Sequence, residues 1–126
     1  DLVAMCNAAI DGELNKTKAE WDQRSAVGVV LAAGGYPGDY QKGDVITGLN
    51  GSDNETQKVF HAGTKMDDSE ILTNGGRILC ATALGDTVTE AQQRAYSQAK
   101  AIHWENIFYR NDIAYRAIER ENESNP

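Results

Sequence analysis

The sequence contains few of the residues on which metal sites, disulfide frameworks and nucleophilic catalysis depend. Its two cysteines, Cys6 and Cys80, lie in separate apolar segments without a CxxC spacing, which excludes a typical zinc site and favours buried free thiols in a reducing compartment. The two histidines also lie in unrelated segments, and no carboxylate pair stands out. No metal site is therefore predicted, and the catalytic residues stay unknown.

Long apolar runs and an excess of positive charge are also missing. No run approaches the roughly 18 apolar residues that cross a bilayer, and no signal peptide opens the chain. Acidic residues outnumber basic ones by 19 to 12, giving a formal net charge of -7, which disfavours nucleic acid and anionic membranes as partners. A cytoplasmic protein is expected, and residues 119–124 read as a solvated acidic tail.

The length suits one compact domain. The 126 residues are 40% hydrophobic and 25% charged, which is ordinary for a globular protein. The chain opens without methionine, directly in an apolar pattern that predicts a helix over residues 1–11 ended by Gly12. We therefore expect a piece of a longer protein.

Val- and Ala-rich residues 26–33 predict a strand that is covered on both faces or lies beside a glycine-rich turn. A short strand is expected within residues 42–49 and an extended segment over residues 58–65, separated by a surface loop at residues 48–57. A second loop, MDDSEILTNGG, precedes RILCATALG, whose composition predicts a strand over residues 77–85.

Helices follow the predicted strands. Thr87 and Glu90 have the spacing of a capping box, and the next residues carry one apolar stripe: Val88, Ala91, Ala95, Ala99 and Ile102. The segment DIAYRAIER predicts a last, shorter helix over residues 112–120. His103, Trp21 and Trp104 are interpreted as packing residues. Short strands with turn-rich links followed by helices indicate an α+β domain.

A glycine cluster at the end of the first strand is the first candidate site, comprising Gly34, Gly35, Tyr36, Pro37 and Gly38. Pro37 and Gly38 suit the two central positions of a type II turn. The double glycine could let the strand bend or let another group approach the backbone. A phosphate-cradling role is weakened because neither GxGxxG nor GxxxxGK[ST] is present.

Two further segments combine glycine with basic residues. In HAGTK, a continuous strand would place His61, Gly63 and Lys65 on one face, toward an anionic ligand or simply toward solvent. In TNGGR, Asn74 and Gly75 could form an anion-binding loop beside Arg77, or the segment could be a hairpin turn with its arginine in solvent.

Four stretches in the same order and spacing carry a resemblance to a known family. They are SAVGVVLAAGGYPGDYQKGDVITGL, KVFHAGTK, ILTNGGRILCATALGDTVTEAQQRAY and IHWENIFYRNDIAYRAIERE. Together they resemble the C-terminal part of the phosphoribosylamine-glycine ligases, also called glycinamide ribonucleotide synthetases, over residues 1–121. This resemblance implies a small, mostly antiparallel sheet with flanking helices, similar to the C-terminal domain of ATP-grasp ligases such as biotin carboxylase.

The resemblance also implies an activity. Members of the family use ATP to join glycine to 5-phosphoribosylamine through glycyl phosphate, with Mg²⁺ or Mn²⁺, in purine biosynthesis. It implies that residues 1–24 leave the ATP-grasp core, residues 25–121 form the C-terminal domain and residues 122–126 are a polar tail.

The nucleotide- and metal-binding groups of the family would precede this chain. The chain alone is therefore expected to bind neither ATP nor metal, to be inactive, and to pack on the ATP-grasp and N-terminal domains. The glycine clusters, with Lys65 and Arg77, become candidate walls of a cleft for phosphate or glycine. The alternative is a stand-alone anion-binding or assembly module that reuses this domain.

Overall fold

The computed structural model describes residues 1–49 and 53–124. In chain order the elements are α1 (Leu2–Ile10), a short 3-10 turn (Leu14–Lys16), β1 (Ser25–Ala32), β2 (Gln57–His61), β3 (Thr64–Asp67), β4 (Glu70–Thr73), β5 (Arg77–Gly85), α2 (Val88–Ala101) and α3 (Tyr115–Ser124). They confirm the predicted α+β class. Residues 50–52 of the predicted surface loop and residues 125–126 of the predicted tail lie outside the described residues. Within the described part, none of the helices has the length and apolar character to cross a membrane.

The strands form two antiparallel sheets. In the larger sheet β5 lies between β1 and β2, and in the smaller one β3 pairs with β4. The strand predicted over residues 77–85 is confirmed as β5. Because side chains alternate along a strand, the pairing of Val29 with Ala81 and of Leu31 with Leu79 places apolar residues on one common face. These four side chains are buried, and α2 packs against β1 and β5.

The apolar stripe of α2 explains its close packing on the sheet. Ala91, Ala95 and Ala99 are fully buried, and their small side chains bring the helix near the strands. The Thr87 hydroxyl caps the helix by accepting the Glu90 amide proton at 3.1 Å. The Thr87 contact of the predicted capping box is therefore confirmed. The reciprocal contact differs, because the Glu90 carboxylate accepts from the amide of Asp86, one residue before the cap, at 2.8 Å.

The last helix begins and ends later than the predicted residues 112–120, because it spans Tyr115–Ser124. It runs to Ser124, so residues that read as a solvated acidic tail are helical. A specific contact explains the difference. The Glu121 carboxylate accepts the backbone amide protons of Val88 and Thr89, at 2.9 and 3.3 Å, in the first turn of α2. A carboxylate at a helix N-terminus is favourable because the first amides have no partners in their own helix.

Two strand predictions are wrong in part. Residues 42–49 form only isolated bridges, because Val45 pairs with Leu72 whereas Thr47 pairs with His103 on another segment. Their partners change within three residues, so no ladder can extend. Conversely, β4 lies inside the segment that was predicted as a loop, since its backbone pairs with β3.

Residues 1–24 stand apart from this core. The predicted first helix is confirmed as α1, capped by Asp1, but none of its residues is buried. Cys6 is exposed, which contradicts the expectation of two buried thiols, whereas Cys80 is half-buried. Trp21 is 83% exposed, while Trp104 is buried in the core. His103 is exposed beside the end of α2.

Candidate functional site

The three glycine segments meet at one end of the larger sheet. The amide of Ala33, just before the first cluster, donates to the carbonyl of Gly76 at 2.9 Å. The ring of Tyr36 packs against Gly76, where an added β-carbon would lie 2.2 Å from ring Cδ2. These contacts join the loop of residues 34–38 to the loop that enters β5.

Gly63 connects the HAGTK segment to the same place. Its amide donates to the carbonyl of Arg77 at 2.9 Å, and its own carbonyl accepts the amide of Asn74 at 2.7 Å. The backbones of Gly63 and Gly75 also touch, because an added β-carbon on Gly75 would lie 3.0 Å from the α-carbon of Gly63. The structure therefore brings all three segments together through backbone contacts between small residues.

The turn in the first cluster differs from the prediction. The amide of Tyr36 donates to the carbonyl of Ala33 at 3.1 Å, and Gly35 takes the third position of that turn with φ +93°. A positive φ at the third position is the geometry for which type II turns use glycine. Pro37 lies in a second turn, closed from Gly38 to Gly35 at 2.8 Å, and the Tyr36–Pro37 peptide is cis. The type II prediction centred on Pro37 and Gly38 was therefore wrong.

The shared face predicted for His61, Gly63 and Lys65 is also wrong. The chain leaves β2 at His61 and enters β3 at Thr64, so the two basic residues belong to different sheets. His61 Nδ1 lies 3.1 Å from the Thr64 hydroxyl, and Lys65 Nζ lies 3.7 Å from an Asp67 carboxylate oxygen. Both basic side chains thus have partners of their own on the protein surface.

Arg77 lines an apolar groove, which we call the outer groove. It has a volume of about 260 Å³ and is lined by Gly28, Val30, Ala32, Tyr36, Arg77, Phe108, Tyr109, Arg110 and Ile113. Two guanidinium groups and two phenol groups therefore border an otherwise apolar space. His61, Lys65 and Asn74, all within the described chain, are outside this lining.

The two arginines of the outer groove differ in what binds them. Arg110 Nε donates to Asp112 Oδ1 at 2.7 Å, and this contact raises the pKa of Arg110 and lowers the pKa of Asp112. Arg77 has no hydrogen bond or ion pair from its side chain to any residue that the structure describes. A guanidinium without an internal partner keeps its full donor set for an external carboxylate or phosphate. Arg77 is therefore the best-placed anion ligand among the candidates.

Gly34 and Gly35 line a separate, polar cavity of about 230 Å³. Its other lining residues include Gln41, Asp44, Glu105 and Asn106. Two carboxyl groups beside two amides suit an ammonium or hydroxyl group better than a phosphate. The loop of residues 34–38 therefore contributes to two chemically different spaces, because Tyr36 lines the outer groove.

Among residues 1–49 and 53–124, no group of three or more His, Cys, Asp or Glu side chains is arranged to hold a metal ion. No chemical step through a metal is therefore derived from these residues.

Sequence reasoning missed most of the lining of the outer groove, including Phe108, Tyr109 and Arg110. They reach it because residue 108 pairs with β1, with the Ala32 amide donating to the Phe108 carbonyl at 2.8 Å. The segment is a single bridge after a helix, so it carries no strand periodicity. Only the presence of two aromatic residues before an arginine could have drawn attention to it.

Comparison with known proteins finds one matching family and relatives that share a single name. Residues 26–116 match the family described as phosphoribosylglycinamide synthetase, C domain. The phosphoribosylamine-glycine ligase of Vibrio cholerae is 61% identical over 121 residues, which are 96% of this chain and 28% of the relative. The ligase of that name from Escherichia coli K12 is 58% identical over 122 residues, again 96% of this chain and 28% of the relative.

A solved structure agrees with these sequence matches. The crystal structure of phosphoribosylamine-glycine ligase from Thermotoga maritima superposes with a TM-score of 0.68 at 36% identity, covering 86% of this chain and 27% of that one. The chain thus spans a little over a quarter of the length of the relatives that it matches.

Proposed function

The chain belongs to the phosphoribosylglycinamide synthetase C-domain family, and we propose that it is the C-terminal part of a phosphoribosylamine-glycine ligase. The whole enzyme would convert ATP, glycine and 5-phosphoribosylamine into glycinamide ribonucleotide, ADP and phosphate, with glycyl phosphate as the intermediate. The observation that carries this proposal is the 61% identity over 96% of the chain to a protein of that name.

We assign ATP and Mg²⁺ or Mn²⁺ to the part of the ligase that lies outside the matched residues. The described residues of this chain offer no set of ligands for a metal. In such an enzyme ATP and its metal would supply the phosphoryl group that activates the glycine carboxylate. This chain would then contribute binding and orientation of the substrates rather than nucleotide chemistry.

Arg77 is the residue that we propose to contact substrate. Its side chain lines the outer groove, and it has no internal partner among the described residues. A guanidinium can hold the phosphate of 5-phosphoribosylamine or the carboxylate of glycine by two parallel hydrogen bonds. The loop of residues 34–38 would orient Arg77 through the contact between Tyr36 and Gly76.

The other candidates take weaker roles in this proposal. His61 and Lys65 lie outside the lining of the outer groove, and each has a partner at the surface. Asn74 and Gly75 would shape the loop before Arg77, because their backbones are held by Gly63. The predicted division at residues 24 and 121, and the cytoplasmic location, also stay proposals.

A chimera tests the proposed function. The residues of the Escherichia coli K12 ligase that match this chain are replaced by the 126 residues of this chain. We expect the chimera to form ADP only when ATP, glycine and phosphoribosylamine are all present, and to restore growth without purines to a strain that lacks its own ligase.

Two controls define the upper and lower limits of the activity expected from the chimera. The unaltered Escherichia coli ligase sets the full activity, and a version that ends where the match begins sets the background. A folded chimera with background activity would contradict the proposal and favour a stand-alone binding module instead.

A further inference from the structure

No helix of the described chain packs on one face of the larger sheet, although residues 54–57 and 108–113 line cavities beside it. Its inner face packs on α2, whereas the opposite face, which we call the outer sheet face, carries Ala26, Gly28, Val30, Lys58, Phe60, Cys80, Thr82 and Leu84. The two large apolar side chains on the edge strands are exposed, Val30 to 43% and Phe60 to 53%. The outer groove continues this surface beyond Val30.

The composition of the outer sheet face is unusual for a surface in water. An antiparallel sheet with one solvated face commonly alternates apolar and polar residues. Here the outward positions of β1 are Ala26, Gly28 and Val30. The charged residue of the face, Lys58, is held at the edge by Asp53 at 2.7 Å. Contiguous exposed apolar patches of this kind mark interaction sites.

One of the two interpretations of the β1 sequence, a strand covered on both faces instead of one beside a glycine-rich turn, agrees with this view. The unbroken apolar run over residues 26–33 is typical of a strand that is covered on both faces, yet in the described chain only one face of β1 packs on a helix. If β1 is a strand of that kind, the cover for its second face lies outside the described residues.

The relatives are much longer than this chain and match it beyond the C-domain model. The family match begins at residue 26, whereas the alignment with the Vibrio cholerae ligase includes 121 of the 126 residues and only 28% of that protein. Most of α1 is therefore shared with the relative but lies outside the C-domain match. The helix is rich in apolar residues, and none of them is buried. Both α1 and the outer sheet face thus lack cover in a chain that is a small part of its relatives.

We propose that the outer sheet face is the docking surface for the part of the same ligase polypeptide that precedes this chain in its relatives. This inference rests on the proposed function. Residues 11–24 join α1 to β1 and can span at most about 50 Å when fully extended. A tether of that length holds the preceding part at a high effective concentration. A second copy of the chain has no such advantage.

Cys80 provides the test, because it lies on the central strand of the outer sheet face and is half-buried. The exposed Cys6 is first replaced by serine, and labelling of Cys80 by a small maleimide is then timed without substrates. We compare the 126-residue chain with the chimeric full-length ligase. Labelling in the ligase should be slower by at least about tenfold, since a covered thiol reacts only when the contact opens.

Two substitutions in the chimera sharpen the test. Val30→Lys places a charge on the outer sheet face and should restore fast labelling of Cys80. Met66→Lys is the matched control, because Met66 is 75% exposed on β3, away from this face, and its labelling should stay slow. Circular dichroism of the 126-residue chain checks that Val30→Lys folds, and Phe60→Lys takes its place if it does not.

The labelling results test the docking surface, and the activity of the chimera tests the proposed function, so the two can fail independently. An active chimera whose Cys80 reacts as fast as in the 126-residue chain overturns the docking surface and leaves the proposed function intact. A protected Cys80 in an inactive chimera upholds the docking surface and removes the activity. A third outcome is slow labelling of the 126-residue chain that becomes faster on dilution, together with a dimer in sedimentation. This outcome would assign the outer sheet face to a second copy and would also overturn the inference.

Discussion

The ring of Tyr36 lies against Gly76 so closely that a β-carbon at residue 76 would be 2.2 Å from ring Cδ2 and 2.6 Å from Cε2. Tyr36 belongs to the glycine turn after β1, and Gly76 is the residue before Arg77, the first residue of β5. The contact therefore joins two segments that are 40 positions apart in the sequence and fixes the start of the central strand. Glycine at residue 76 is required by this close approach.

The first prediction concerns that contact. Gly76→Ala should destabilise the protein by about 1–3 kcal/mol, the usual cost of inserting a methyl group into packed surroundings. Urea unfolding of the variant measures this cost. Tyr36→Ala removes the ring. In that background, Gly76→Ala should lower the free energy of unfolding by less than it does in the native protein. If the two substitutions simply add, the ring is not what excludes a side chain at residue 76.

A second prediction separates backbone strain from crowding in the glycine turn. Gly35 and Gly43 have nearly equal φ angles, +93° and +95°, and an L-residue is strained at both. A β-carbon on Gly35 would lie 2.3 Å from the carbonyl oxygen of Asp39, whereas nothing lies within 4 Å of one on Gly43. Gly35→Ala should therefore lower Tm more than Gly43→Ala. Equal shifts in Tm would show that conformational strain alone decides the use of glycine here.

The third prediction follows from the hydrogen bonds of Glu121. The backbone amides of Val88 and Thr89, with the Thr89 hydroxyl, lower the pKa of this carboxyl below its ordinary value of 4.5. A lowered folded-state pKa contributes stability above the unfolded-state value and loses it as pH falls through the folded-state value. The protein should therefore lose stability below about pH 4.5 as Glu121 becomes protonated.

Glu121→Gln tests that dependence. The variant should be less stable than the native protein at pH 7, and the difference should shrink as pH falls from 4.5, as followed by thermal unfolding over that range. Glu123→Gln, at an exposed position on the same helix, should keep the native pH dependence. A constant difference for Glu121→Gln at all pH values would place its role in packing instead of charge.

The parts of the fold that the sequence predicted well depend on local signals. The nine residues of β5 and the capped start of α2 carry their own periodicity and cap, so neighbours in sequence determine them. Residues 42–49 and β4 were predicted less well because their pairing partners lie on other segments. The segment KVFHAGTK could not be resolved into two strands, since the break at Gly63 arises from its contact with Gly75.

The candidate site shows the same limit. Arg77 could be singled out from TNGGR, but its neighbours in the outer groove could not, because Phe108 reaches β1 through a single bridge. The partner of Lys65 is only two residues away, yet its pairing with Asp67 depends on a hairpin that the sequence did not indicate. Residue types predicted which groups could bind an anion, and long-range contacts determine which of them remains unpaired.

The last prediction uses that difference between Arg77 and Lys65. In the full-length chimera, Arg77→Ala should raise the apparent KM for phosphoribosylamine or glycine by about 10- to 100-fold, as expected for loss of a charge-assisted hydrogen bond. Lys65→Ala should change KM less, because Lys65 lies outside the outer groove and faces Asp67. Arg77→Lys should recover only part of the affinity, since an ammonium cannot form the two parallel hydrogen bonds of a guanidinium. Steady-state kinetics with one substrate varied at a time measures these effects, and thermal unfolding checks that the variants are folded. Unchanged KM values in a stable Arg77→Ala variant would remove Arg77 from the substrate site and limit the outer groove to contacts within the protein.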